Sequence, residues 1–130
     1  METILLAQFF AVLFGFSGVI LGAFGAHRLK GKLTEERLQN FETAVRYQFL
    51  HALLLLVVAF NLSFTTPVET WVVRVLILGV LLFSGSIYGL VYSGHKGRKW
   101  KVLIPLTPLG GLLMAIGWLL LGYVFFAPLF

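Results

Sequence analysis

A polar stripe interrupts an apolar stretch of this sequence. Asn40, Thr43, Tyr47 and His51 recur at spacings of three, four and four, and Gln48 stands three residues before His51. On a helix the first four share one face. Polar groups at membrane depth are costly unless they pair or meet water, so these side chains are expected to point inward. Two kinds of chemistry fit them. One is an interhelical hydrogen-bond cluster that fixes packing. The other is a polar pocket, open at one end, that holds a ligand. Ser84, Tyr88 and Tyr92 follow at i, i+4 and i+8, with Ser86 close by. They supply partners for either, although Tyr92 reads first as an interfacial anchor. His27 is expected at the mouth of the cluster. The candidate pocket therefore comprises His27, Thr43, Tyr47, Gln48, His51, Ser84, Ser86 and Tyr88.

Other chemistries find less support. Acid–base or nucleophilic catalysis needs convergent titratable groups. The apolar spans hold no Asp or Glu, so no catalytic residue is assigned and an enzyme is the less favoured class. There are no cysteines for a thiolate site. His27, His51 and His95 could ligate a metal or bracket a haem, but loop and interface histidines are usually neither, and no metal or cofactor is assigned. Cation-coupled export wants a carboxylate within the membrane, which these spans lack. The net charge of +5 could suggest nucleic acid. The basic residues lie between apolar spans, which is a topology signal instead, and no nucleic-acid partner is expected.

These side chains must be carried by elements suited to lipid. The composition is 59% hydrophobic and 12% charged, with a mean hydropathy of +0.96. Soluble domains run at about 25% charged. Charge-free stretches mark the spans, each near the roughly 20 residues a bilayer core requires. They read as about 4–26, 46–64, 71–93 and 103–126, in one membrane domain over 1–130. Glu2 lies where a secretory signal would be positive, so the first span is expected to remain as a helix. The fold class is all-α, a four-transmembrane-helix bundle with an amphipathic extension on the second spanning helix. That extension starts after Thr34, a good N-cap followed by Glu35 and Glu36, with Gly31 ending the helix before it.

Arg28, Lys30, Lys32, Arg37 and Arg46 separate spans one and two, and Lys96, Arg98, Lys99 and Lys101 separate spans three and four. Nine of the ten basic residues thus share one side, which the positive-inside rule makes cytoplasmic. Both termini then face outward, in a multi-pass protein of a bacterial inner or plasma membrane.

Small residues recur along span one at Ala7, Ala11, Gly15, Gly18, Gly22 and Gly25. Without a hydrophobic drive between helices in lipid, close backbone approach supplies packing. Gly15, Gly18, Gly22 and Gly25 are therefore expected to face another helix. Gly85, Gly89 and Ser93 repeat the theme more weakly. Span four opens with Pro105 and Pro108. We read a helix from about Leu103 that kinks at Pro108; the alternative is a start at Pro108 behind Thr107 as N-cap.

Two motifs carry a resemblance. Gly22-Ala23-Phe24-Gly25-Ala26-His27 is followed by Thr43-Ala44-Val45-x-Tyr47-Gln48-x-x-His51-Ala52. With Phe83-Ser84-Gly85-Ser86-x-Tyr88 and Thr107-Pro108-x-Gly110-Gly111, the chain resembles the small membrane proteins of domain of unknown function 423, the relatives of transmembrane protein 256. The resemblance spans essentially the whole chain; Arg28 after His27 is a minor variation. It implies four transmembrane helices and carries over no activity.

The favoured reading is a lipid-interacting or structural and assembly protein with a polar pocket at the cytoplasmic leaflet. Membrane lipids are the expected partners, anionic headgroups among them. Arg28, Lys30, Lys32, Arg46, Arg98, Lys99 and Lys101 are the candidate contacts. Assembly with itself or within a larger membrane complex is the bland version. The alternative is a small transporter or channel-like protein for a small or amphipathic solute.

Overall fold

The computed structural model describes residues Met1–Phe130 and is entirely helical between its turns. Helix α1, Glu2–Ile20, passes through a π-helical turn at Leu21–Gly25 into the short α2, Ala26–Leu29. Helices α3, Glu35–Asn61, α4, Pro67–His95, and α5, Leu106–Phe126, complete the set. Four of these helical runs are long and apolar enough to cross a membrane.

Local chemistry fixes the ends. Gly31 takes a φ of +88°, which L side chains rarely adopt, and turns the chain out of α2. Thr34 then caps α3, its Oγ1 accepting from the Arg37 N–H at 3.2 Å. At the opposite end Pro67 opens α4, and the Glu69 carboxylate reaches back to the Thr66 N–H at 3.0 Å.

The start of α5 corrects one expectation. No kink forms at Pro108. A separate 3₁₀ turn spans Lys101–Leu103, and α5 begins at Leu106. Pro108 thus falls in the first turn, where a helix has no acceptor for its N–H groups and the missing donor costs nothing.

Helix α1 lies on α3 through Ala7, Ala11, Phe14 and Gly18. Helix α4 joins this pair to α5, with Leu55, Val58, Val72, Leu76 and Val80 fully buried between them. No Cα of α5 comes within 8 Å of α1 or α3, so among the long helices only α4 meets α5 at backbone range. The outer faces of α1 and α5 stay apolar and exposed, with Phe9, Val12 and Phe16 on one and Leu112 and Leu119 on the other. Lipid is the solvent that suits those faces.

The closest glycine packing lies between α4 and α5. A Cβ on Gly79 would sit 2.9 Å from the Met114 backbone nitrogen. One on Gly110 would strike the Phe83 backbone and stand 2.8 Å from the Gly79 carbonyl oxygen. One on Gly117 would strike the Leu76 side chain. On α1 and its π turn the contacts are looser and meet side chains of α3: Gly18 with Phe49 at 3.3 Å, Gly22 with Val45 at 3.2 Å, Gly25 with Phe41 at 3.1 Å. Gly15 departs from the expected stripe, since a side chain there would meet nothing within 4 Å. Gly85 is equally open.

Candidate functional site

The polar residues do not converge on one pocket. They form three small groups around α3 and α4, plus a cavity at the basic end.

The first group is built on Gln48. Its Nε2 donates to the Phe14 carbonyl at 3.0 Å and to Ser17 Oγ at 2.7 Å, both on α1. Its Oε1 accepts from the Tyr88 hydroxyl on α4 at 2.7 Å. One amide therefore ties three helices, with both N–H bonds and the carbonyl in use. Beside it, Ser84 Oγ donates to the Ala44 carbonyl at 2.7 Å, across from α4 to α3.

The second group is built on His51. Its Nδ1 lies 2.7 Å from the Tyr47 carbonyl one turn back, and the Trp118 indole N–H reaches Nε2 at 3.2 Å. An indole only donates, so Nε2 must accept and Nδ1 must carry the proton. This is the neutral imidazole, and it is the polar link between α3 and α5. The Tyr47 ring stands 5.0 Å from that of Phe83 and 40% exposed.

The third group is smaller. Ser86 and Thr107 share a hydrogen bond of 2.6 Å, which fastens α4 to the first turn of α5. No buried side-chain nitrogen or oxygen in the protein lacks a partner.

His27 joins none of these groups. It is exposed on α2, whose neighbours are the π turn and α3, so it does not reach the start of α5 as expected. Its placement follows from the π turn, through which α2 continues α1 and stays on the α1 side. His27, His51 and His95 lie on separate helices, and no three histidines or carboxylates gather.

The cavity of about 530 Å³ opens where the amphipathic start of α3 faces the end of α4 and the start of α5. Arg37, Asn40 and Thr43 line it from α3, Ile87, Val91 and Gly94 from α4, Lys99 from the connection and Thr107 from α5. Gly94 leaves room for Arg37, whose Nε would stand 3.1 Å from a Cβ there. Glu36 also lines it. Of the seven basic residues expected to meet headgroups, Lys99 alone is at this cavity; Arg28, Lys30, Lys32, Arg46, Arg98 and Lys101 are exposed elsewhere on the basic end. Arg37 was absent from that set, yet the stripe of Asn40 and Thr43 extended one turn back leads to it. Ser17 and Trp118 were likewise unforeseen as partners of Gln48 and His51. Ser17 lies off the small-residue stripe of α1, and nothing in the sequence pairs Ser17 with Gln48 or Trp118 with His51.

Comparison with known proteins agrees with this architecture. A family described as "Protein of unknown function (DUF423)" matches residues 21–111. A UPF0382 membrane protein of Staphylococcus haemolyticus is 43% identical over 100 residues, covering 77% of this chain and 78% of its own. One from Haemophilus influenzae is 36% identical over 109 residues, 84% of each chain. One from Schizosaccharomyces pombe is 39% identical over 111 residues, 83% of this chain and 91% of its own. No solved structure matches. The matched segment runs from the π turn of α1 to Gly111 and so contains the whole polar stripe, and the chain is a member of the DUF423 family of membrane proteins.

Proposed function

We propose that this protein binds anionic lipid headgroups at the cytoplasmic leaflet, in the cavity between α3, α4 and the start of α5. The observation that carries this reading is the pairing of Arg37 and Lys99 on that cavity with the neutral amide of Asn40. A guanidinium and an ammonium both bind phosphate oxygens, the first bidentately. The Asn40 amide then serves a further oxygen, and Glu36 accepts from headgroup hydroxyls.

Orientation supports the choice of leaflet. Nine of the ten Lys/Arg belong to the end that holds the cavity. Each basic residue near an anionic surface contributes about 1 kcal/mol. The Gln48 and His51 groups are paired within the protein and serve packing in this reading, so the ligand is met above them. Native mass spectrometry of protein taken from bilayers of equal phosphatidylglycerol and phosphatidylcholine tests this. Enriched phosphatidylglycerol adducts are expected; equal retention of both lipids contradicts it.

A further inference from the structure

We infer that the headgroup cavity continues into a lateral cleft between α3 and α5 that takes one acyl chain of an anionic phospholipid. This rests on the headgroup reading above and adds the body of the ligand to it. Three layers define the cleft, each with a wall on α3 and a wall on α5. Thr43 and Thr107 form the top, with Ile87 of α4 between them as floor. Tyr47 and Gly111 form the middle, over Phe83, whose ring is 5.0 Å from that of Tyr47. His51 and Trp118 close the bottom with their 3.2 Å hydrogen bond. Thr43, Tyr47 and His51 are successive turns of one face of α3, and Thr107, Gly111 and Trp118 share one face of α5, with two turns between the last pair. At about 1.5 Å of rise per residue the cleft is roughly 12 Å deep.

Two features favour a chain there over protein. The Cα atoms of α3 and α5 stay more than 8 Å apart, and the one hydrogen bond between these helices lies at the bottom, from Trp118 to His51. The middle layer has glycine on one side, and a Cβ on Gly111 would meet only the Phe83 ring edge, at 3.7 Å. The occupant is set by complementarity along the cleft. Cationic and hydroxyl groups line its mouth, and aromatic and aliphatic groups line the part below. A phospholipid has that order of phosphate and chain, and its chain enters sideways from the membrane without crossing a polar barrier.

Gly111→Leu tests the cleft, because the new side chain fills the middle layer with only ordinary contact to α4. Wild type and variant, matched in thermal stability, are compared for phosphatidylglycerol enrichment over phosphatidylcholine by native mass spectrometry. Loss of enrichment in Gly111→Leu is expected. Enrichment equal to wild type overturns the cleft and leaves the headgroup reading standing. Absence of enrichment in wild type overturns both. Glycerophosphate displacing phosphatidylglycerol as well as intact lipid does would show that the phosphate suffices, and overturns the cleft.

A second measurement keeps the test independent of that variant's folding. In Trp71→Phe/Trp100→Phe protein, Trp118 is the sole indole. Phosphatidylglycerol with brominated chains, at low mole fraction in phosphatidylcholine nanodiscs, is expected to quench it to saturation. Quenching no greater than that by brominated phosphatidylcholine at the same fraction overturns the chain site.

Discussion

The side-chain amide of Gln48 accepts from the Tyr88 hydroxyl at 2.7 Å while it donates to Ser17 at the same distance, so one residue of α3 fastens α1 and α4 at once. Interhelical hydrogen bonds in membranes average about 0.6 kcal/mol and reach about 1–2. Gln48 makes three, and its loss also strands the half-buried Tyr88 hydroxyl. Gln48→Leu is expected to cost about 1–3 kcal/mol, the penalty for an unsatisfied buried group. A clear fall in the detergent melting temperature checks this, and Tyr88→Phe is expected to recover part of it in the Gln48→Leu background.

The α4–α5 contact depends on glycine far more than the α1–α3 contact does. Gly110→Ala places a methyl on the Phe83 backbone, which has no rotamer to yield. Overpacking of this kind costs about 1–3 kcal/mol, occasionally more. Gly15→Ala meets open space and is expected to leave stability unchanged or slightly raised. Thermal unfolding of the two variants side by side is the check, and equal melting temperatures would count against the packing described.

His51 and Trp118 hold α5 to α3 where no backbone contact does. Trp118→Phe removes that hydrogen bond and keeps an aromatic ring. The variant should fold, with α5 less restrained. Faster amide exchange over residues 111–121 relative to α3 is expected; unchanged exchange would show that α4 alone positions α5.

The topology expected from charge is open to a direct test. Reporters fused at Phe130 are expected to be active only outside the cytoplasm, and activity inside would reverse the assignment of the headgroup cavity to the cytoplasmic leaflet.

Much of this fold was legible because lipid leaves few options. Charge-free runs bounded by basic residues marked four helices, and Thr34 and Gly31 marked the start of α3 through known cap and turn chemistry. Part of the inward face of α3 was legible too, since Gln48 and His51 had to be buried together with partners, whereas Tyr47, expected inward with them, stays 40% exposed. Which partners was not. Gln48 chose Ser17 and the Phe14 carbonyl because α1 lies against α3, and sequence spacing says nothing of helix order around a bundle. The same ignorance placed His27 beside the start of α5, when it stands on the α1 side. Glycine periodicity drew attention to α1, whereas Gly79, Gly110 and Gly117 make the tighter approach. Periodicity reports a bare face and is silent on whether backbone or side chain fills it.

Charge at the basic end is abundant, so a lipid preference could arise from any of it. A quantitative comparison of two double variants by native mass spectrometry separates the cavity from its surroundings. Arg37→Ala/Lys99→Ala removes both cations that line the cavity, and Lys30→Ala/Lys32→Ala removes the same charge from exposed positions on the connection before α3. Phosphatidylglycerol enrichment should vanish in the first pair and persist in the second. Equal loss in both would show that diffuse charge, and not the cavity between α3, α4 and α5, selects the lipid.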